Sequence, residues 1–277
     1  MGQLYDFSRG DVRGKTIVRK IVAHFHVSDT MPDRQPLPVS RPVPFLGKVR
    51  ETCRGLLRLA YPPTCLGCGV VLEEESALLC DVCKSGLRRA DPDRISAELA
   101  RLPVGSDIID RCFSLWFLEP GEVVQKVHHE LKYGNRPAYG IRLGMEMGCV
   151  LEEIDVPSSF HAIIPVPLHR VRLYERGYNQ SAMLAEGIAR VWSIPVREDV
   201  LARTRSTRSQ TRLSRSERWS NVEGAFAVRE PEAVRGQRVL LVDDVFTTGS
   251  TLLAAAIPLR AAGVAGITVA TLGYATS

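Results

Sequence analysis

Two adjacent aspartates followed by a run of small hydroxyl residues form the strongest chemical signal in this sequence. Asp243 and Asp244 come directly after Val-Leu-Leu-Val, a run typical of a strand buried on both faces in a parallel sheet. The hydroxyl-rich segment starts a few residues later and consists of Thr247, Thr248, Gly249, Ser250 and Thr251. Because ligands in open α/β sheets bind beyond the carboxyl ends of the strands, we expect the active site here.

The chemistry of this stretch suits a phosphorylated sugar. Backbone N–H groups at a helix start bind phosphate, and Gly249 permits the tight turn that precedes such a helix. We expect the carboxylates of Asp243 and Asp244 at the exposed end of the strand, where they can accept hydrogen bonds from vicinal hydroxyl groups. The implied ligand is a phosphorylated ribose. An ordinary buried strand followed by an Asp-rich turn is the alternative.

Four cysteines in two Cys-x-x-Cys pairs form a second signal. Eleven residues separate the two pairs, which are Cys65 with Cys68 and Cys80 with Cys83. Four thiolates with this spacing select tetrahedral zinc and leave no open position for a substrate. The pattern therefore predicts a structural zinc site. The other cysteines, Cys53, Cys112 and Cys149, have no partner at ligand spacing and are interpreted as buried thiols.

Composition sets the outer limits of the interpretation. The 277 residues have 45% hydrophobic content and a net charge of +5, which fits one α/β domain with a smaller appendage. No apolar run reaches the roughly 18 residues of a membrane span, and Cys-x-x-Cys pairs indicate a reducing compartment. We expect a cytoplasmic protein. Residues 1–50 have five prolines between Pro32 and Pro44 and no apolar periodicity, which predicts a disordered basic arm.

Basic residues occur at three places that could meet an anion. Helical spacing predicts a helix that ends before Gly134 and has Lys132 near its end, where the ammonium could reach a phosphate. His128, in the same helix, is interpreted as an ordinary surface or core-edge residue. A predicted loop at 168–179 contains Arg176 with two other arginines, and these are either an anion site or solvated surface residues.

The third basic segment, residues 203–218, has six arginines and one acid, and it lacks apolar periodicity. It predicts a mobile loop over an anionic ligand. Its charge exceeds what one pyrophosphate requires, so a nucleic-acid backbone is also a candidate. The predicted contacts are Arg203, Arg205, Arg208, Arg212 and Arg215. Trp219 is the one neighbouring aromatic residue, which weakens the case for recognition by base stacking.

The stretch at 239–251 resembles the 5-phosphoribosyl 1-diphosphate (PRPP) motif of type I phosphoribosyltransferases. That motif has four hydrophobic residues, two acids, two hydrophobic residues and then Thr, Thr or Ala, Gly, Gly or Ser, and Thr, and all thirteen positions fit. Added to it are the four cysteines, a Leu-Lys-Tyr helix end, the segment Arg-Gly-Tyr-Asn-Gln from Arg176, and Asn-x-x-Gly-Ala-Phe from Asn221. With these pieces in this order, the chain resembles the ComF family of competence proteins from about Cys53 to Tyr274.

The resemblance implies a fold. It is an α/β domain with a type I phosphoribosyltransferase-like parallel sheet and helices on both faces, at 91–277, preceded by a small four-cysteine zinc ribbon at 51–90. It also implies a role in the uptake or processing of transforming DNA, beside helicase-like and recombination proteins that handle single-stranded DNA. PRPP would bind with Mg²⁺, with Asp243 and Asp244 on the ribose, residues 247–251 on the 5′-phosphate, and Arg176 and Lys132 on phosphate groups.

Two functional classes remain open at this point. One is an accessory protein that binds PRPP and supports DNA uptake; the other is an active phosphoribosyltransferase that transfers the sugar phosphate to an unidentified nitrogen nucleophile. The binding chemistry is the same in both. We favour the accessory protein, because the sequence has no obvious signature for recognition of a base.

Overall fold

The computed structural model describes residues 62–73, 77–102, 105–119, 123–154, 159–206 and 215–275. They belong to one compact unit, Pro62–Ser277. The predicted arm at 1–50 lies outside the described residues, as do Cys53, Arg208 and Arg212. The division between a ribbon and a larger domain near residue 90 stays a prediction.

Six strands form two sheets in the described part of the chain. The strands are β1 (Arg111–Phe117), β2 (Ala162–Pro165), β3 (Leu201–Arg203), β4 (Phe226–Val228), β5 (Arg238–Phe246) and β6 (Gly266–Tyr274). The larger sheet has the order β1-β6-β5-β2, and every pair in it is parallel. The smaller sheet is the antiparallel pair of β3 and β4.

Helices cover the parallel sheet, as the predicted α/β class requires. In the described ranges they are α1 (Asp81–Ser85), α2 (Pro92–Ala100), α3 (Gly105–Ile108), α4 (Val123–Tyr133), α5 (Pro137–Ile154), α6 (Arg170–Arg176), α7 (Gln180–Trp192), α8 (Arg215–Val222) and α9 (Ser250–Ala261). Within those ranges no helix combines the length and apolarity needed to cross a bilayer.

The strand β5 is buried on both faces, as its apolar run predicts. Val239 and Leu241 pack into a core cluster with α2 and α9, whereas Leu240 and Val242 pack into a second cluster with α4, α5 and α7. All four side chains are fully buried. The two clusters on opposite faces hold β5 rigidly, and its carboxyl end is therefore a firm base for a site.

Two glycines allow α5 and α7 to pack closely beside this sheet. A Cβ atom on Gly144 would lie 2.1 Å from the Leu184 carbonyl oxygen, and one on Gly187 would lie 2.1 Å from that of Ile141. Neither position accepts a larger residue without moving a helix backbone. The close packing fixes the first turn of α7, and the side chains of that turn reach the end of β5.

The structure differs from the sequence predictions in three local features. β5 continues through Phe246, so both aspartates lie inside the strand. The predicted loop at 168–179 contains α6, which the His169 side chain caps at one end and Gly177 in a left-handed conformation ends at the other. The predicted mobile loop at 203–218 ends in the first turn of α8, which begins at Arg215.

Candidate functional site

A cavity of about 440 Å³ opens at the carboxyl end of β5. Its walls come from seven helices and strands and from the loops between them. The lining residues with ionisable or hydroxyl groups include His128 and Lys132 of α4, Arg172 and Arg176 of α6, Arg203 of β3, Asp243 and Asp244 of β5, and Thr247 and Thr251. The sheet and its covering helices thus bring the aspartate pair together with the predicted residues Lys132 and Arg176.

Asp244 is surrounded by donors from two helices. Its Oδ2 atom lies 3.1 Å from the Lys132 ammonium, 3.1 Å from His128 Nε2 and 3.2 Å from the Gln180 amide nitrogen. Its Oδ1 atom accepts the backbone N–H of Val245 at 2.8 Å. Asp244 is therefore a satisfied anion within the ligand-free protein, and its side chain is anchored in one orientation.

Asp243 has a different environment. Its Oδ1 atom accepts hydrogen bonds from the Ser181 hydroxyl at 2.8 Å and from the backbone N–H of Asp244 at 2.9 Å. Its Oδ2 atom has no hydrogen bond to a described residue, and Asp243 lines the cavity. This oxygen is available to a ligand.

The two carboxylates consequently differ in proton affinity. Burial, followed by the charge of Asp244, raises the pKa of Asp243 from 3.8 to about 7. Burial also acts to raise the pKa of Asp244, but the charge of Lys132 and the hydrogen bond from His128 outweigh it and hold that pKa well below 3.8. The pair therefore has one fixed negative charge and one group that titrates near neutral pH.

The expected exposure of the aspartates is wrong. The two residues are only 9% and 7% exposed, for Asp243 and Asp244 respectively. They are buried because β5 extends past them and because α4 and α7 cover them. A substitution at either position will therefore act on stability as well as on binding.

The hydroxyl residues of the segment after β5 lie in two environments: two are buried, and two line the cavity. Thr248 and Ser250 are each 1% exposed, and their hydroxyl oxygens lie 2.9 Å apart. Thr247 and Thr251 line the cavity instead. Gly249 has a φ of 77°, and a Cβ there would lie 2.9 Å from Leu102 and Phe246. The glycine is therefore needed both for the turn and for the close packing that starts α9.

The predicted DNA-binding arginines are distributed over different environments. Arg203 lies in β3, lines the cavity and has its guanidinium 5.2 Å from the centre of the Phe226 ring. Burial lowers its pKa, against the charge of Asp243. Arg205 donates to the Glu223 carbonyl oxygen at 2.8 Å. Arg215 begins α8, and Arg208 and Arg212 lie outside the described residues.

The sequence does not assign three of the residues that contact the aspartates to the site, namely Gln180, Ser181 and His128. The interpretation of His128 as an ordinary surface or core-edge residue is wrong, because its Nε2 atom lies 3.1 Å from Asp244 Oδ2. His128 precedes Lys132 by four residues, so the two side chains share one face of α4. That spacing is the available signal for His128. Nothing local in the sequence indicates that the first turn of α7 meets the end of β5, because the contact depends on the packing of α5 against α7.

A separate cluster is formed by the four predicted cysteine ligands. The sulfur atoms of Cys65, Cys68, Cys80 and Cys83 all lie within 4.8 Å of one another, and those of Cys68 and Cys80 are 3.7 Å apart. A tetrahedral site with Zn–S distances of about 2.3 Å has sulfur atoms about 3.8 Å apart. The donor set and its spacing thus fit a metal ion such as zinc.

The backbone around the cysteines also favours thiolate ligands. The Cys65 sulfur accepts N–H groups from Gly67 at 3.3 Å and Cys80 at 3.4 Å. Burial raises the pKa of Cys65, but N–H donors that include these two lower it to about 6 overall. A Cβ on Gly67 would lie 2.6 Å from the Cys83 sulfur, so the turn has room only for glycine. Cys112 is buried as predicted, and burial raises its pKa.

Comparison with known proteins gives a family match for about the last third of the chain. A family model described as a phosphoribosyl transferase domain matches residues 179–276. The matched region contains β5, the aspartate pair and the segment at 247–251. It begins one residue before α7, and it therefore includes Gln180 and Ser181 as well.

Three named relatives extend this result. Competence protein F of Haemophilus influenzae is 41% identical over 109 residues, which are 39% of this chain and 48% of that protein. DNA utilization protein YhgH of Escherichia coli K12 is 37% identical over 152 residues, 51% of this chain and 63% of that protein. Competence protein ComFC of Bacillus subtilis is 33% identical over 96 residues, 35% of this chain and 37% of that protein. Each alignment thus covers less than two thirds of the relative.

Proposed function

We propose that the chain belongs to the ComF family, as the similarity to its named relatives and the match to a phosphoribosyl transferase domain support, and that it binds PRPP and supports DNA uptake. We place this activity in the cytoplasm. One observation carries the ligand assignment. A buried acid pair faces a cavity whose other walls hold Lys132 and four arginines, among them Arg176 and Arg203. PRPP combines vicinal hydroxyl groups with a phosphate and a pyrophosphate, so it needs both kinds of partner.

Different residues of the cavity would bind different groups of PRPP. The free Oδ2 of Asp243 would accept a hydrogen bond from a ribose hydroxyl group. Asp244 would keep its own orientation because Lys132, His128 and Gln180 contact it. Backbone N–H groups at the start of α9 and the side chains of Thr247 and Thr251 would bind the 5′-phosphate. The guanidinium of Arg176 would face the pyrophosphate, where a planar donor suits phosphate oxygens.

Two metal ions belong to this proposal, in different roles. Zinc would be held by Cys65, Cys68, Cys80 and Cys83 and would stabilise the fold around them. Mg²⁺ would enter with PRPP, and the carboxylate of Asp243 is the group suited to it, since hard cations prefer oxygen ligands. When bound, Mg²⁺ neutralises charge on the pyrophosphate.

The DNA-related part of the proposal rests on the relatives and on charge. Two relatives carry the name competence protein, and one is named a DNA utilization protein. Arg203, Arg205 and Arg215 belong to the arginine-rich segment at 203–218. We propose that this segment contacts the phosphate backbone of single-stranded DNA, and that competence helicase or recombination proteins act on the same strand.

Thermal denaturation with PRPP and Mg²⁺ tests the ligand assignment. We expect a ligand that binds the folded state at a hundred times its Kd to add about 2.7 kcal/mol to the free energy of unfolding. Ribose 5-phosphate should raise the midpoint less, because it lacks the pyrophosphate that Arg176 would bind. Equal midpoints of thermal unfolding with and without PRPP would contradict the assignment of PRPP as the ligand.

An active phosphoribosyltransferase is the second candidate, and the titrating carboxylate favours it. With a pKa of about 7, Asp243 could exchange a proton with a reacting group near neutral pH. Incubation with PRPP, Mg²⁺ and a metabolite mixture, followed by a pyrophosphate assay, separates the candidates. Release that depends on one metabolite would make the protein an enzyme, and PRPP binding without release would leave the accessory role.

A further inference from the structure

The helix α6 presents large apolar side chains to solvent beside the PRPP cavity. Tyr174 is 92% exposed, Val171 is 54% exposed and Leu173 is 42% exposed. No residue of α6 is buried. Packing against the core therefore does not explain the sequence of this helix, and a cluster of exposed apolar groups marks an interaction site.

Helical geometry assigns a separate surface to each group on α6. Successive residues turn by about 100°, so Arg172 and Arg176 share the side that lines the PRPP cavity. Arg170 and Leu173 line a second cavity of about 460 Å³ on the neighbouring side. Tyr174 lies one turn from Arg170, on the same side of α6, and it does not line the first cavity. Helical spacing thus places Tyr174 next to Arg170, which lines the second cavity, while Tyr174 itself stays outside that lining.

The second cavity forms a basic groove between α6 and the β3–β4 pair. Arg170 lines it from α6, and Arg203 and Arg229 line it from the other side, whereas Glu198 is the one acidic residue among the described lining residues. Leu173, Met183 and Leu201 add apolar side chains to its lining. One guanidinium group on one side and two on the other, together with apolar side chains, are complementary to a chain of phosphates that also carries flat apolar groups.

We propose that a single strand of nucleic acid lies along this groove, with phosphates on Arg170 and Arg229 and a base stacked on Tyr174. The inference rests on the proposed DNA role and names the surface that would bind the strand. Exposed aromatic rings beside arginines bind single strands, because unpaired bases offer their faces for stacking. A duplex hides those faces, so Tyr174 would gain nothing from it.

The one aromatic residue beside the arginine-rich segment at 203–218 is poorly exposed for stacking. Trp219 of α8 is partly buried and packs against the core cluster that contains β5 and α9. Tyr174 is the most exposed large hydrophobic residue among those described, and three arginines and one glutamate share its helix. The exposed aromatic ring that suits stacking thus lies on α6 and not on α8.

Fluorescence anisotropy with a labelled oligo-dT of about 20 nucleotides measures this contact. We expect Tyr174→Ala to weaken binding roughly tenfold, and Tyr174→Phe to retain it, since stacking needs the ring and not the hydroxyl. Arg170→Gln and Arg229→Gln should each reduce the slope of log affinity against log salt by about 0.7. Val82→Ala, at another exposed apolar side chain, and Arg235→Gln, at an exposed arginine paired with Glu232, are the matched controls.

The outcomes separate this proposal from the PRPP assignment. PRPP should stabilise Tyr174→Ala as much as the wild type, because Tyr174 does not line the PRPP cavity. Unchanged oligo-dT affinity in Tyr174→Ala and Arg170→Gln would overturn the proposal, as would equal affinity for the duplex. Failure of the wild type to bind any single strand would also overturn it and would leave the exposed face of α6 to a protein partner. An oligo-rU probe in the same assay distinguishes RNA from DNA as the source of the strand.

Discussion

The four cysteines and the two aspartates are both clusters of like groups, but the chain completes them in different ways. The cysteine sulfurs lie within 4.8 Å of one another, and Cys68 is exposed. The aspartates are buried, and the protein supplies the Lys132 ammonium to Asp244 from α4. The first cluster has the donors for a cation from outside, whereas one carboxylate of the second is already paired with a cation of the chain.

This difference assigns separate roles to the two clusters. A set of thiolates closed by a metal can hold a fold together but has no free position for chemistry. The aspartate pair keeps one oxygen of Asp243 free and one protonation change near neutral pH. We therefore expect loss of the metal to act mainly on stability, and changes to the aspartates to act on stability and ligand affinity together.

Removal of the metal should give the largest effect. Cys80→Ser with Cys83→Ser should reduce bound zinc from about one per chain to nearly none and lower the midpoint of thermal unfolding by roughly 10 °C or more. Leu78 packs into the core cluster with α4 and α5, so the loss spreads beyond the cysteines. Elemental analysis and calorimetry measure both quantities. Cys112→Ser, at a buried cysteine outside the cluster, should keep the zinc.

The same double variant also tests whether the PRPP cavity depends on the cysteine cluster. No described residue of the PRPP cavity comes from the cysteine cluster, so PRPP should still stabilise whatever fraction of the zinc-free protein stays folded. Full zinc content in the double variant would contradict the metal assignment. Zinc loss without any change in unfolding would contradict its structural role.

Substitution of the aspartates should give the next largest effect. Asp244→Asn leaves Lys132 without its buried counter-charge and changes the acceptor of His128, and we expect it to lower the free energy of unfolding by about 3 kcal/mol. Asp243→Asn should lower it less, because that group is partly protonated near neutral pH. Each variant should weaken PRPP binding about ten- to a hundredfold.

Chemical denaturation and isothermal titration calorimetry measure these changes. Asp199→Asn is the matched control, since Asp199 is an exposed aspartate paired with Arg197 at 2.8 Å and lies outside the cavity lining. Equal destabilisation by Asp243→Asn and Asp244→Asn would show that the donors around Asp244 do not act as we describe.

The pH dependence should be smaller and specific to Asp243. Its pKa is raised from 3.8 to about 7, so the folded state binds its proton more tightly than the unfolded state does. The stability that this group contributes is complete below pH 3.8 and is lost as the pH rises through about 7. PRPP with Mg²⁺ requires the ionised form, so its affinity should rise roughly tenfold from pH 6 to pH 8 beyond the change seen in Asp243→Asn. Parallel calorimetry on both proteins at several pH values checks this difference, and identical profiles would contradict it.

The smallest effects should distinguish the two kinds of hydroxyl group after β5. Thr248→Ala removes the buried partner of Ser250 and should lower the free energy of unfolding by about 1 to 2 kcal/mol, with little change in PRPP affinity. Thr247→Ala should leave stability unchanged and weaken PRPP binding a fewfold, because backbone N–H groups remain for the phosphate. The denaturation curve should therefore change mainly for Thr248→Ala, and the PRPP titration mainly for Thr247→Ala. The same changes in both variants would contradict separate roles for the two kinds of hydroxyl group.

The sequence predicts the elements whose signals are local. The apolar run before Asp243 predicts the buried strand, and helical spacing before Gly134 predicts the helix α4 with Lys132 near its end. The cysteine spacing predicts the sulfur cluster. In each of these cases neighbouring residues along the chain carry the whole signal.

The rest depends on contacts between distant segments. Asp244 and His128 are far apart in the sequence, and only the packing of α4 on the sheet brings them together. Burial of the aspartates follows from the length of β5, which extends past the apolar run because β6 pairs with it as far as Phe246. The exposed residues of α6 carry no apolar periodicity toward a core, so the sequence predicted a loop there.

Calorimetric titration of the zinc-loaded wild type with PRPP and Mg²⁺ at pH 8, beside Asp243→Asn, tests whether PRPP binds at the aspartate pair. We expect one binding site per chain in the wild type, located in the cavity at the end of β5, and affinity at least tenfold weaker in the variant. Binding of equal strength in both proteins would place PRPP elsewhere on the chain. No heat and no thermal stabilisation in the wild type would contradict PRPP binding altogether.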